Sequence, residues 1–398
     1  MAFPSTGVTA LVSHAIGRHD HQDASKLVTH GITLTLGITF LITVAGYLSI
    51  DPVFRWLGAN ETTLPLVRDF MRIWYLGALF MSLPWMGNGI LISAGDSRAA
   101  SRFMILGTLL NALLNPVMIF GLLGFPALGI RGSALATVVA QAVSTVWLFV
   151  LLSRKHKLLT LRTGSPRDYL HSFRRIFGFA IPSILSMALM PISASVITSI
   201  VSGYGNEAVA ACGAAGRLEM FAFVIPMALG ISLTPFMSQN HGANRLDRIR
   251  EALKVSTRFA LAYGGCVAVV FYLSAPWLAA FFSEDQKVVE ILSAYIRIIC
   301  FGYGMLEVHR YCGFTLTGLH EPVSATVLNA IRVLALLIPL SYVGAHCAGV
   351  RGVFAGRLIT DIIAGSIGLV WVSYRCRLVP DGQNAREVAP VAAGPFVP

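Results

Sequence analysis

The chain has few charged residues for its length. Asp, Glu, Lys and Arg make up only 12% of its 398 residues, whereas 55% are hydrophobic. A soluble domain carries roughly 25% charged residues, so this composition argues against a soluble protein. Apolar runs of about 20 residues recur along the chain, and each is long enough for a helix that crosses a bilayer. We therefore expect an all-α integral membrane protein.

Several motifs that mark enzymes are also missing. The sequence contains no GxxxxGK[ST], HExxH, GxSxG or paired CxxC pattern, which argues against the nucleotide, zinc and nucleophile sites that these motifs build. The six cysteines lie mostly within apolar stretches and are interpreted as core residues. His14, His19 and His21 are too weak a pattern to predict a metal site. We predict no enzyme, no cofactor and an ion gradient, H⁺ or Na⁺, as the energy source.

Ten apolar runs are predicted to span the membrane. They cover residues 27–50, 68–93, 101–123, 131–153, 174–202, 207–238, 254–282, 289–317, 322–345 and 352–374. An apolar segment over residues 1–16 precedes them and is too short to cross a core of about 30 Å at about 1.5 Å per residue. Prolines 84, 116, 182, 191, 226 and 235 lie within the runs. Each permits a bend that serves either motion or packing.

Lys and Arg are distributed unevenly between alternate loops. Nineteen lie on one side and six on the other, and the remaining five of the thirty lie within spans. Because loops rich in Lys and Arg stay in the cytoplasm, the loops after residues 16, 93, 153, 238 and 317 and the C-terminal tail are predicted to be cytoplasmic. The net charge of +11 is assigned to this asymmetry, facing an anionic leaflet of a bacterial-type inner membrane, rather than to nucleic acid.

The two halves of the chain resemble each other. Thr9–Gly17 matches Thr234–Gly242 at an offset of about 225, and Gly129–Gly132 matches Gly349–Gly352 at about 220. Arg72 with Gly77, and Asn111 with Ala112, match in the same order. Six helices in the second half place both copies in one orientation, related by an axis along the membrane normal.

The repeat defines a domain organisation. We predict an N-lobe over residues 1–153, a basic cytoplasmic linker over 154–173, a C-lobe over 174–377 with helices 7 to 12, and a cytoplasmic tail over 378–398. The counterpart of the start of the C-lobe would lie about fifty residues before the first residue at the offset found above. We therefore expect the N-lobe to lack helix 1 and part of helix 2.

Motifs along the whole chain resemble the MATE (multidrug and toxic compound extrusion) family, whose superfamily also contains lipid-linked oligosaccharide flippases. They include Ala10–Ser13, Ser93–Arg98, Asn111 to Pro116, Gly216–Glu219 and Pro235 to Arg245. The resemblance implies a V-shaped bundle of two six-helix lobes, alternating access, and export of amphipathic, often cationic, compounds against inward H⁺ or Na⁺. The chain departs from the family where helix 1 carries an acid, where Asn115 replaces an aspartate, and where Pro182–Met190 lacks a glutamate.

Three acids lie well inside predicted spans, and all are in the C-lobe: Glu219, Glu307 and Asp361. A buried carboxyl can bind and release a coupling ion. The sequence suggests Arg217, Arg310 and Arg357 as their respective partners, and Arg332 should face one of the acids across the lobe. For Glu307 and Glu219 two interpretations remain open, ion coupling or a static ion-pair network; for Asp361 the static network is favoured. His309 is interpreted as a packed neighbour.

Candidate residues for a substrate cavity combine amides with adaptable apolar side chains. They are Asn88, Asn111, Asn115, Gln141, Met187, Met190 and Phe221. Packing between helices is the alternative role for them. We predict an exporter of small organic compounds that acts by ion antiport, a monomer whose partners are lipids and substrate. The alternatives are a lipid-linked saccharide flippase of the same superfamily and a non-functional truncated membrane protein.

Overall fold

The computed structural model describes residues 5–160 and 165–378, which are helical over most of their length and contain no β-strand. The first half forms α1 (Ser5–Gly17), α2 (His21–Leu48), α3 (Ile50–Trp56), α4 (Thr63–Ser93), α5 (Ser97–Phe120) and α6 (Ile130–Val150). The second half forms α7 (Pro166–Ser202), α8 (Asn206–Gly242), α9 (Leu246–Phe282), α10 (Gln286–Ile299), α11 (Tyr303–Gly318), α12 (Pro322–Ala330) and α13 (Ile338–Leu378). Part of the predicted linker, 161–164, and the tail after 378 lie outside the described residues.

Nine helical segments of the described chain are long and apolar enough to cross a bilayer. The last one, Pro322–Cys376, contains two of the predicted spans. The chain reverses within α13, where Gly349 adopts a φ of 61°. Across this turn Gly344 packs on the backbone of Gly352, and Gly356 packs on that of Leu340. The segment is therefore a helical hairpin, and the two legs correspond to the predicted spans 322–345 and 352–374.

The helix ends repeat along the chain. α1 ends at Gly17 and α8 at Gly242, while α4 ends at Ser93 and α11 at Gly318, so both pairs are separated by the offset of the sequence repeat. Each helix is followed by a turn with one left-handed residue: His19, Asn244, Gly95 and His320, with φ of 60°, 55°, 79° and 66°. The sequence repeat is thus a structural repeat. α7 and the first part of α8 have no counterpart among the described residues.

An ion pair on the linker side is repeated as well. Asp96 caps α5 and binds Lys155 at 2.6 Å, and Glu321 at the start of α12 binds Arg375 at 2.7 Å. Burial raises the pKa of Asp96, but the Lys155 ammonium and the Ala99 N–H outweigh it and the net pKa is lowered. Asp96 is therefore ionised at neutral pH. These pairs tie the end of the first half to the turn between α4 and α5, and the end of the second half to the turn between α11 and α12.

Two of the helix-interior prolines have their freed carbonyl groups satisfied by neighbouring helices. Pro84 lacks the N–H that would bond to Phe80, and the Thr145 hydroxyl donates to the Phe80 oxygen at 3.0 Å. Pro226 likewise frees Ala222, whose oxygen accepts from the Tyr263 hydroxyl at 3.0 Å. A side-chain donor at a membrane-depth proline removes the penalty of an unpaired carbonyl. At these two positions the carbonyl group that the proline frees therefore serves as a contact between helices.

The N-lobe (α1–α6) and the C-lobe (α7–α13) meet mainly where α1 packs on α8. A Cβ at Gly17 would lie 2.1 Å from the Gln239 oxygen, and one at Gly242 would lie 2.3 Å from the His14 oxygen. These two contacts are equivalent under the repeat. The Ser238 hydroxyl donates to Ala10 O at 2.6 Å across the same junction. We call this end of the molecule, where α1, α4 and α8 terminate, the closed face.

Candidate functional site

The C-lobe contains a cluster of charged side chains from α8, α10, α11 and α13 and from the π-helical turn Ile331–Leu337 between α12 and α13. We call it the C-lobe charge cluster. Three carboxyl groups and three guanidinium groups form it, together with one tyrosine and one histidine: Glu219, Tyr295, Glu307, His309, Arg310, Arg332, Arg357 and Asp361. Within this set, each carboxylate is matched by one arginine.

Glu219 is held by two side chains from other helices. Tyr295 on α10 donates its hydroxyl to Oε1 at 2.6 Å, and Arg357 on α13 donates from Nη2 to Oε2 at 2.8 Å. Arg357 also donates from Nη1 to the Tyr295 hydroxyl. Both carboxylate oxygens therefore have a strong partner, because a hydrogen bond in which the donor or the acceptor is ionised is stronger than one between neutral groups.

Glu307 and Asp361 each have a hydrogen-bond partner, among the described residues, at only one of the two carboxylate oxygens. Arg310 donates to Glu307 Oε1 at 2.5 Å, and Arg332 donates to Asp361 Oδ1 at 2.6 Å. The two acids are 2% and 0% exposed. Their other oxygens, Glu307 Oε2 and Asp361 Oδ2, are buried without a hydrogen-bond partner in the described structure. A buried unpaired carboxylate oxygen is costly unless a proton or a cation occupies it.

Two of the predicted pairings are wrong. Arg217 is exposed and does not hold Glu219, because residues two positions apart point to different sides of a helix. Arg357 crosses to Glu219 on α8 instead of binding Asp361 one turn away. Asp361 instead binds Arg332, which confirms that this arginine faces an acid across the lobe.

The pairing of Glu307 with Arg310 is confirmed, and Arg310 also lies 4.7 Å from the ring of Phe223. Residues three apart lie on one helix face, so this contact follows from the sequence. Tyr295 was missed as a member of the cluster. The sequence offers only a phenol on the apolar face of α10, which does not reveal that its hydroxyl points at an acid of α8.

In the N-lobe, Asn115 donates to Asn111, which donates to Thr137 on α6. This chain of hydrogen bonds joins α5 to α6 and fits the packing role. Asn88 and Gln141 are half-buried. Met187, Met190 and Phe221 are 58%, 63% and 74% exposed, so an apolar ligand or lipid can reach them. Their part in a substrate cavity stays a prediction.

Comparisons with known proteins agree over most of the chain. A profile of the MatE family matches residues 1–117 and 182–343. A protein of Shewanella oneidensis named FAD transporter is 33% identical over 359 residues, which cover 90% of this chain and 79% of the relative. The probable multidrug resistance protein YoeA of Bacillus subtilis is 26% identical over 86% of this chain and 74% of its own length.

Solved structures show the same likeness in three dimensions. The bent form of the Vibrio cholerae MATE transporter VcmN aligns with a TM-score of 0.89 at 26% identity, over 94% of this chain and 84% of the other. A structure described as the outward-facing conformation of a multidrug resistance MATE family transporter aligns with a TM-score of 0.86 at 25% identity, with the same coverage. The two-lobe helical arrangement is therefore one already seen in transporters.

Proposed function

We propose, from the premise that this chain belongs to the MATE family of multi-pass membrane transporters and is no enzyme, that it exports amphipathic organic compounds in exchange for H⁺ or Na⁺. Relatives that are named multidrug export proteins support the substrate class, among them MepA of Staphylococcus haemolyticus at 25% identity over 95% of this chain. The C-lobe charge cluster is the proposed site of ion coupling.

One observation carries the coupling proposal: Glu307 and Asp361 are buried, and each has one carboxylate oxygen without a hydrogen-bond partner among the residues that the structure describes. Such an oxygen can accept a proton or bind Na⁺. Because the three acids and three arginines of the cluster balance, neutralising one acid leaves a guanidinium without its counter-ion in a low dielectric. The released arginine then repels its neighbours, which gives ion binding a means of shifting helices. Glu219, whose oxygens are both bonded, is the static member.

The test is ion exchange by purified protein in liposomes that carry a proton or sodium gradient. We expect a lipophilic cation to dissipate the gradient with the wild-type chain, and Glu307→Gln to reduce this at least tenfold, because the amide keeps the shape but cannot take up an ion. Glu290→Gln is the matched control, since Glu290 forms an exposed pair with Arg351 and should leave exchange unchanged.

Unchanged exchange in both Glu307→Gln and Asp361→Asn would overturn the coupling proposal. Thermal unfolding of each variant in detergent separates loss of coupling from loss of folding. A variant that unfolds near the wild-type temperature and fails to exchange supports coupling.

A second candidate substrate is FAD, favoured by the relative of that name, which is 33% identical over 90% of this chain. FAD is a large aromatic anion, whereas the first candidate is a cation. The two are separated by competition: excess FAD should block uptake of the labelled lipophilic cation if both use one cavity. Transport of labelled FAD without any transport of the cation would favour the second candidate.

A further inference from the structure

Three histidines from both lobes meet at the closed face. His14 lies near the end of α1, His241 near the end of α8, and His320 in the turn between α11 and α12. The ring centroids of His14 and His320 are 4.2 Å apart, and His241 lies 5.3 Å from His14 and 5.6 Å from His320. One ring nitrogen of each lies within 4.8 Å of the other two.

Two ring nitrogens of these histidines are not used in hydrogen bonds to the described residues. His14 Nδ1 and His241 Nδ1 are buried without a hydrogen-bond partner in the described structure. Phe179 of α7 packs edge-on against the His320 ring at 5.1 Å, and the Ser238 hydroxyl lies 3.2 Å from His320 Nε2. Buried unpaired nitrogens of this kind call for an explanation, such as an ion.

The backbone at His320 provides an independent observation. Its φ of 66° lies in the left-handed region, where the equivalent residue of the first half is Gly95. A side chain in this region is strained relative to glycine. The second half therefore has a histidine where the first half has a glycine, and this histidine is the one that lies against His14 and His241.

We propose that His14, His241 and His320 bind a transition-metal ion of the Zn²⁺ type, and that the bound ion holds the closed face shut. Imidazole nitrogens suit Zn²⁺, Co²⁺, Ni²⁺ and Cu²⁺ rather than Mg²⁺ or Ca²⁺. Nitrogens on a tetrahedral zinc ion lie roughly 3.4 Å apart, so side-chain rotation brings the three rings into range. A fourth position stays open for water or the Ser238 hydroxyl. Opening the closed face would remove His14 from its two partners.

Metal binding is tested on the purified full chain in detergent by titrating Co²⁺ and following visible absorption, then displacing it with Zn²⁺. We expect one Co²⁺ per chain. His14→Gln and His320→Asn should each weaken binding at least tenfold. Both are mild changes: Gln239 is the repeat counterpart of His14, and Asn tolerates a left-handed backbone.

His19→Asn is the matched control, because His19 is exposed, has a left-handed φ of 60° as His320 does, and has Asn244 as its repeat counterpart. It should bind Co²⁺ like the wild type. Absence of saturable binding by the wild type, or equal binding by the wild type, His14→Gln and His320→Asn, would overturn the site. This assay needs no transport, so its result is independent of the proposed function.

Whether the bound ion holds the closed face shut is tested with spin labels at Glu61→Cys and Glu284→Cys, which lie on the face opposite the closed face. The exposed Cys266 and Cys347 are replaced by Ser. Zn²⁺ should narrow the distribution of distances between the labels when His14 is present and leave it unchanged in His14→Gln. If Co²⁺ binds but Zn²⁺ does not narrow the distance distribution, or if Zn²⁺ narrows it in His14→Gln as well, the ion does not hold the closed face shut.

Discussion

At the scale of residues, the C-lobe charge cluster depends on pairs that cross between helices. Arg357 holds Glu219, which lies 138 positions earlier in the chain. The two side chains are 23% and 13% exposed, and removing one member of a largely buried pair leaves the other charge without compensation, at a cost of about 3 kcal/mol. The arginine therefore contributes to stability whether or not the cluster couples transport to ions.

We expect Arg357→Gln to lower the free energy of unfolding by about 3 kcal/mol, because Glu219 is left with Tyr295 as its remaining partner. The measurement is unfolding of the purified protein in detergent. Arg351→Gln is the control: its pair with Glu290 has side chains 64% and 74% exposed and should contribute less than about 1 kcal/mol. Equal loss in both variants would contradict a structural role specific to Arg357.

The sequence identified most members of this cluster, but it did not predict all of the pairs that they form. The three acids were identified because few carboxyls lie within apolar runs, and Arg310 followed from its spacing to Glu307. The partner of Arg357 could not be found this way, since an arginine side chain long enough to reach the next turn also reaches a neighbouring helix. Which of these it binds depends on how α8, α10 and α13 pack.

At the scale of elements, the junction of α1 with α8 depends on the absence of side chains at Gly17 and Gly242. Each glycine lets one helix approach a backbone carbonyl of the other. Small residues allow such close approach in membrane proteins generally. The repeat, visible in the sequence, placed both glycines at equivalent positions, but it did not reveal that they contact each other's helix.

Gly17→Ala should weaken this junction, because its Cβ would lie 2.1 Å from the Gln239 oxygen and backbone must shift. Overpacking of this kind costs about 1 to 3 kcal/mol. A thiol introduced as Ser238→Cys should then react faster with a water-soluble reagent than in the parent chain. Gly213→Ala is the control, because a Cβ there meets no atom of the described residues within 4 Å. Faster labelling in the control alone would refute this explanation.

At the scale of the whole molecule, the uneven distribution of Lys and Arg predicts that the closed face is cytoplasmic. Alkaline phosphatase inserted after Ala59 should be active, because this turn lies on the opposite face. The same enzyme inserted after Gly95 should be inactive, and a fluorescent protein fused after Pro398 should fluoresce. The reverse pattern of activities would contradict the predicted orientation.

The balance of charge in the C-lobe has an electrical consequence. In the described part of the chain, one carboxylate oxygen of Glu307 and one of Asp361 lack hydrogen-bond partners, so this pair of acids takes up at most two monovalent ions per cycle. One proton exchanged for one monovalent cation moves no net charge, and the membrane voltage then contributes nothing to the driving force. Two protons exchanged for one monovalent cation move one net charge, and the membrane voltage then adds about 2.3 kcal/mol per 100 mV to the driving force. Whether export responds to voltage therefore reports how many of the two acids take part.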